Sequence, residues 1–147
     1  MVDIFTEISI NCPLAELSAF AIDPDNASIW YVNIKKVEWK SPKPLQKGSL
    51  LGFQAQFLGR KLEYVYEVVE WEANKKFVMR TADGPFPMET TYEFLKIDAR
   101  SSRMRLRNKG VPSGFSKLMA PLMKSAMRRA NNKDLLLLKE ILEKRQK

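Results

Sequence analysis

The sequence predicts an α+β fold, in which a curved antiparallel sheet of about seven strands wraps around one long C-terminal helix. Between residues 33 and 109, stretches that alternate apolar and polar residues are separated by turn residues, as is typical of strands joined by hairpins. From about residue 113 the apolar residues instead recur at helical spacing. Only this helix is large enough to cover the dry face of the sheet.

The first 31 residues predict one strand and two short helices. In "VDIFTEISI" the even-numbered residues, from Val2 to Ile10, point one way and the polar residues mostly point the other, which indicates a half-buried strand. Pro13 opens a short helix, because proline is tolerated at the first helical position. The stretch "DPDNASIWY" then predicts a turn and a second short helix that brings Trp30 and Tyr31 toward the core.

Six strands are expected in the middle of the chain. They are "NIKKVEWKS", "SLLGFQAQFL", "KLEYVYEVVEW", "FVMRTA", "FPMETTYEFLKI" and "SRMRLRN", with a tight hairpin at residues 59–60. In three of them Glu or Arg alternates with larger apolar residues, so each has one wet face. Either the Glu-bearing and Arg-bearing strands are neighbours that pair opposite charges, or these residues simply face solvent without specific pairing.

The long helix is predicted from about Ser113 to Glu143, which is about 45 Å if unbroken. Ser113 is a suitable cap, and Pro121 predicts a kink or a break near Met119. From Ser113 onward there are nine Lys/Arg and three Asp/Glu, which gives this segment a charge of +6. The basic face is either a solvated surface, or it attracts an acidic partner, an anionic ligand or a phospholipid surface.

Composition excludes several classes of protein. The 147 residues suit a single domain, and no apolar run reaches the ~20 residues of a membrane span, so we expect a cytoplasmic protein. There is no histidine and Cys12 is the one cysteine, which excludes an internal disulfide and predicts neither a metal site nor a cofactor. We expect no nucleic-acid partner, because neither an exposed aromatic platform nor a helix-turn-helix pattern is present.

Several stretches also resemble a known family. They are "DPDNASIWYVNIKKVEWKSP", with its Asp-Pro turn and Trp, "GSLLGFQAQFLGRKLEYVYEVVE", "TADGPFPMETTYEF" and "SRMRLRN". In this order they are similar to the START-like superfamily, also called SRPBCC or helix-grip, and to its polyketide cyclase/dehydrase and lipid-transport-like group. The resemblance covers about residues 2–143 and implies one START-like domain over residues 1–147.

The resemblance implies a function in binding or transport of a hydrophobic small molecule. Members of this superfamily typically enclose an apolar tunnel between the sheet and the C-terminal helix. They bind lipids, sterols, polyketides, hormones or aromatic compounds, and some are cyclases or dehydratases. The expected partner is therefore a lipid, polyketide or aromatic compound, with the protein a monomer or a homodimer and any contact with a membrane surface transient.

The candidate ligand-binding residues follow from this cavity. Met119, Met123 and Met127 lie four apart on the helix, and flexible thioethers suit either a pocket wall or a packed core. Hydroxyls on the dry face need partners, which are either one another and buried water or a ligand. The predicted set is Trp30, Phe53, Phe57, Tyr64, Tyr66, Met79, Met88, Thr90, Tyr92, Met104, Phe115, Met119, Leu122 and Met123, with Trp30 and Phe115 near an entrance.

Two other functions stay open at this point. A cyclase or dehydratase could use Arg80 or a buried tyrosine such as Tyr92 to polarise a ketone, but the alternation of Arg80 with Met79 and Thr81 leaves its face undecided. Alternatively, the protein is an interaction module with a basic surface and a fully packed core. A cavity between the sheet and the helix distinguishes this last alternative from the other two.

Overall fold

The computed structural model describes residues 2–57, 59–83, 87–110 and 120–147, without the side chain of Ala120. The described elements, in chain order, are β1 (Val2–Ile10), α1 (Leu14–Ile22), a 3₁₀ turn (Pro24–Asn26), α2 (Ala27–Trp30), β2 (Ile34–Trp39), β3 (Leu50–Phe57), β4 (Arg60–Glu72), β5 (Lys76–Asp83), β6 (Met88–Asp98), β7 (Ser101–Gly110) and α3 (Ala120–Lys144). The predicted strand, two short helices, six strands and long helix are confirmed in that order.

All seven described strands form one antiparallel sheet in the order β1-β7-β6-β5-β4-β3-β2. The predicted hairpin between β3 and β4 is confirmed: Phe57 pairs with Arg60, and Gly59 has a φ of +74°, which a glycine adopts without strain. The pairing of β4 with β5 shifts register at Val65/Tyr66 and again at Val68/Glu70. Bulges of this kind bend and twist a strand, which fits the curled shape of the sheet.

The alternation of the strands places their side chains as expected. In β4, Leu62 and Val68 are buried whereas Glu63 and Glu67 are exposed, and in β7 Met104 and Leu106 are fully buried. On β1 the outward Phe5 is exposed while Ile4 is fully buried. The concave face is therefore the dry face of the sheet.

Opposite charges do pair across the outer face of the sheet. Arg105 lies 3.1 Å from Glu7, Arg107 forms a two-pronged ion pair with Asp3, and Arg80 pairs with Glu89. The first two of these pairs join β7 to β1, and the third joins β5 to β6. These side chains are more than a third exposed, so each pair contributes less than about 1 kcal/mol and serves mainly to favour the register.

Among the described residues α3 runs from Ala120 to Lys144, and Pro121 is the second residue of this range. The predicted start at Ser113 and the predicted kink near Met119 lie outside the described residues. The helix packs against β1, and in its second half the side chains of Leu135, Leu138 and Leu142 belong to the main core.

The core has two parts. The main cluster joins the sheet to α1, α2 and the second half of α3, and it includes Trp30, Tyr92 and Met104. A smaller cluster contains Val2, Ile4, Met88, Met123 and Met127. Tyr66 packs against both clusters, so the space between them is bounded by residues of each.

Candidate functional site

A cavity of about 150 Å³ lies between the concave face of the sheet and the first half of α3. Strands β3 to β6 contribute most of the wall, and the segment from α1 to the start of β2 forms one end of it. On α3 the lining residues are Met123, Met127, Ala130, Asn131 and Asp134, which share a face because they are three or four residues apart. The helix and the sheet do not close fully on each other here.

Many of the predicted ligand-binding residues come together on this wall. They are Phe53, Phe57, Tyr64, Tyr66, Met79, Met88, Thr90, Tyr92 and Met123. Met127, from the predicted line of methionines, also lines the cavity. Phe115 and Met119 lie outside the described residues. Contact of the lining residues with a ligand is still a prediction.

Three predicted residues do not line the cavity. Leu122 is 56% exposed: it precedes Met123 by one residue, and a step of about 100° around the helix turns it toward solvent. Trp30 is fully buried beneath the rings of Tyr31 and Tyr92 and does not stand at an entrance. Met104 is fully buried in the main core cluster and is not part of the cavity wall.

Arg80, the candidate for polarising a ketone, lies on the outer face of the sheet. Its side chain is 60% exposed, and its guanidinium donates two hydrogen bonds, of 2.8 and 3.1 Å, to one carboxylate oxygen of Glu89. The neighbouring Met79 faces inward and lines the cavity. Arg80 therefore takes no part in the chemistry of the cavity.

Aromatic rings make up much of the wall. The ring centroids of Phe53 and Tyr66 are 5.6 Å apart in an edge-to-face arrangement, and those of Tyr64 and Tyr66 are 5.8 Å apart. Phe77 and Tyr92 are separated by 5.7 Å. Pairs at these separations are favourable and rigid, so they hold a defined, ring-lined surface on the sheet side.

The hydroxyl groups of the wall are tied to one another. The hydroxyls of Tyr31 and Tyr92 form a hydrogen bond, and Thr90 donates a hydrogen bond of 2.7 Å to Oδ1 of Asn108. Burial raises the pKa of Tyr66 to about 12, partly offset by a hydrogen bond with Thr90. Burial also raises the pKa values of Tyr31 and Tyr92. These phenols are neutral at physiological pH and keep their protons available for donation.

Two polar residues of α3 at the cavity, Asn131 and Asp134, were not predicted from the sequence; they are 6% and 3% exposed. Oδ1 of Asp134 accepts a hydrogen bond of 2.8 Å from the backbone N–H of Val32, but burial still raises the pKa of this carboxyl to about 7. Nδ2 of Asn131 has no hydrogen-bond partner among the described residues. The available signal was their spacing, because both continue the face that carries Met123 and Met127.

Among the described residues, no cluster of three or more Asp, Glu or Cys side chains is placed to hold a metal ion. Of the helices within the described parts of the chain, none has the length and apolar character that crossing a membrane requires.

The curled seven-stranded sheet, the long helix against it and the cavity between them define a helix-grip protein. The family described as "Polyketide cyclase / dehydrase and lipid transport" matches residues 1–143, and the chain belongs to this family. The comparison with curated protein sequences gave no match.

Solved structures from three bacteria share this fold. The Zhui aromatase/cyclase of a Streptomyces species has a TM-score of 0.84 at 12% identity, over 99% of this chain and 95% of that one. A START superfamily protein of Mycobacterium smegmatis has a TM-score of 0.81 at 12% identity, over 97% of each chain. A protein of Thermus thermophilus has a TM-score of 0.81 at 19% identity, over 94% of each chain. At these identities the similarity shows the fold.

Proposed function

We propose that this protein binds a small, largely apolar molecule in the cavity between the sheet and α3, as a carrier or binding protein. The observation that supports this most directly is the cavity itself, of about 150 Å³, whose lining includes many aromatic rings and methionines. A cavity of about this size accommodates a benzene-sized guest. Membership of a family described by lipid transport and polyketide chemistry points the same way.

The composition of the wall favours a flat, ring-shaped ligand. Phe53, Tyr64 and Tyr66 offer ring faces and edges from the sheet. Met79 and Met123 approach from the sheet and the helix respectively, and thioether side chains adapt their shape to different guests. The cavity also counts against the alternative of an interaction module with a fully packed core.

Other parts of the proposal extend beyond the cavity. We propose that residues 1–147 act as one domain in the cytoplasm, as a monomer or a homodimer, where the buried thiol of Cys12 suits a reducing compartment. The basic side chains on the outer face of α3 suit a transient contact with an anionic membrane surface during ligand exchange.

Binding of single-ring probes tests the proposal. We expect α-methylstyrene and acetophenone to bind the purified protein, as measured by calorimetry or by ligand-observed NMR. In Ala130→Leu the larger side chain occupies part of the cavity, because Ala130 lines it. We expect this variant to bind both probes at least tenfold more weakly.

The matched control is Ala126→Leu, one turn earlier on the same helix. Ala126 is partly buried like Ala130 but does not line the cavity, so this variant should bind like the wild type. Absence of binding by the wild type at millimolar probe would overturn the proposal. Unchanged binding by Ala130→Leu would show that the probes bind elsewhere.

A second candidate function, a cyclase or dehydratase, is favoured by one specific observation. Asp134 lines the cavity with a pKa of about 7, and a group with this pKa exchanges protons readily at neutral pH. The neutral hydroxyls of Tyr31 and Tyr92 lie in the same cavity and are able to donate to a ketone oxygen. Turnover of a short polyketide-like substrate that is lost in Asp134→Asn, while binding persists, would establish this function.

A further inference from the structure

The amide of Asn131 is a hydrogen-bond donor at the cavity that has no partner within the described parts of the chain. The residue is only 6% exposed, and Nδ2 has no acceptor among the described residues. Nε1 of Trp30 is also buried without a partner, but Trp30 is not part of the cavity wall. A buried donor without an acceptor costs about 1–3 kcal/mol, so its retention at a binding surface points to a ligand.

The neighbouring polar groups of the wall already have partners within the protein. Thr90 donates to Asn108, and the hydroxyls of Tyr31 and Tyr92 bond to each other. Asp134, one turn along the helix from Asn131, accepts from the backbone N–H of Val32. Nδ2 of Asn131 is therefore the buried polar atom of this wall that has no partner among the described residues.

The charges around the cavity disfavour an anionic ligand. No Lys or Arg is among the described residues that line the cavity, whereas Asp23 and Asp134 are. A carboxylate or phosphate on the ligand would lose its hydration without gaining a cationic partner, and it would lie near acidic side chains. A neutral oxygen, such as that of a ketone, accepts a hydrogen bond at a far smaller cost of desolvation.

We propose that Asn131 determines specificity at this site, and that its amide donates a hydrogen bond to a neutral carbonyl-type oxygen on an apolar, ring-sized ligand. This inference rests on the proposed function, since it names the class of molecule that the cavity binds. In this arrangement the oxygen of the ligand faces α3, and the rest of the ligand is apolar and packs against the aromatic rings and methionines.

A set of three matched probes tests the inference by calorimetry at pH 8. Acetophenone and α-methylstyrene have nearly the same shape, but a C=O group replaces a C=CH₂ group, and benzoate replaces the methyl ketone with a carboxylate. We expect acetophenone to bind about tenfold more tightly than α-methylstyrene, which is the fold-change for one net hydrogen bond. We expect benzoate to bind at least tenfold more weakly than acetophenone.

The variants assign the preference to Asn131. In Asn131→Leu, a side chain of similar shape without a donor, acetophenone and α-methylstyrene should bind within about twofold of each other. Asn131→Ala removes the same donor with a smaller side chain, and it should lose the preference too, so the result does not depend on one variant folding. The matched control is Asn132→Leu, because Asn132 is the exposed neighbour and its replacement should leave the tenfold preference unchanged.

The possible outcomes separate this inference from the proposed function. Equal binding of the ketone and the alkene by the wild type would overturn the role of Asn131 while leaving the cavity as a binding site. A tenfold preference that survives in both Asn131 variants would also overturn the role of Asn131 and leave the cavity as a binding site. Tight binding of benzoate would overturn the neutral character of the ligand. If no probe binds the wild type, the proposed function and the inference both fail.

Discussion

Asp134 holds a carboxyl group at a place where a negative charge is unfavourable. The residue is 3% exposed and lines a largely apolar cavity, and burial raises the pKa of its carboxyl to about 7. In the unfolded chain this pKa is about 3.9, so the unfolded state releases the proton first as the pH rises. The contribution of Asp134 to stability is therefore complete below about pH 4 and is lost between about pH 4 and pH 7.

We expect Asp134→Asn to remove this dependence on pH. The amide oxygen remains able to accept from the backbone N–H of Val32, and no charge has to be buried. Above pH 7 the variant should be more stable than the wild type by on the order of 4 kcal/mol, because each pKa unit corresponds to about 1.4 kcal/mol. The free energy of unfolding in urea, measured from pH 4 to pH 8, tests this.

Asp25, a carboxyl group whose pKa is lowered instead of raised, provides the control. Hydrogen bonds from Trp39 and Lys43 lower the pKa of Asp25, so its contribution to stability is lost as the pH falls below about 4. Asp25→Asn should therefore retain the decline between pH 4 and pH 7 that the wild type shows. If Asp134→Asn keeps this decline as well, the buried carboxyl is not its cause.

At the scale of single residues, alternation in the strands was the reliable signal. It placed Phe53, Phe57 and Tyr66 on the inner face, where the structure has them at the cavity. Helical spacing was less decisive, because a stripe two residues wide did not distinguish Leu122 from Met123. Asn131 and Asp134 were missed because a polar residue on a helix is normally assigned to solvent, and only the packing of α3 shows that these two are buried.

At the scale of the elements, the end of β7 packs closely against the start of β6. Gly110 pairs with Met88, and a Cβ atom at residue 110 would lie 2.4 Å from Sδ of Met88 and 2.7 Å from the carbonyl oxygen of Pro87. The sulfur is able to move, but the carbonyl belongs to the backbone. Only a residue without a side chain allows this approach.

We expect Gly110→Ala to destabilise the protein by about 1–3 kcal/mol, as overpacking of a dense core does. Because Met88 lines the cavity, its displacement should also weaken the binding of single-ring probes. Gly52→Ala is the matched control: its added Cβ would meet mainly Cε of Lys40 at 3.0 Å, at the flexible end of a side chain. Urea unfolding of both variants tests the difference, and equal losses of stability would contradict it.

The elements themselves were largely predictable because each has a strong local signal. Turn residues such as Gly59 separate the strands, and Pro13 marks the start of α1. The partners of the outer charges were less predictable. The alternation of Arg105 and Arg107 indicated a wet face, but their ion pairs join β7 to β1, a contact between strands that lie almost 100 residues apart in sequence.

At the scale of the whole molecule, the cavity arises because the sheet and helix meet closely in only part of their length. In the second half of α3, Leu135, Leu138 and Leu142 fill the space against the sheet and α1. In the first half the helix offers Met127, Ala130 and Asn131, and the opposing surface of the sheet is curved. The sequence predicted this architecture, but the volume depends on how a few side chains pack, which no local pattern specifies.

A ligand and a larger side chain that occupy the same volume should not stabilise the protein additively. A ligand that binds only the folded state adds RT ln(1 + [L]/Kd) to the free energy of unfolding, or about 1.4 kcal/mol at ten times Kd, which raises Tm by roughly 3–6 °C.

Ala130→Leu places extra carbons in the cavity and should itself be no less stable than the wild type. We therefore expect acetophenone to raise the Tm of the wild type and of Ala126→Leu by several degrees, and that of Ala130→Leu by less than 1 °C at the same concentration. An equal rise in all three proteins would mean that the probe stabilises the fold from a site other than this cavity.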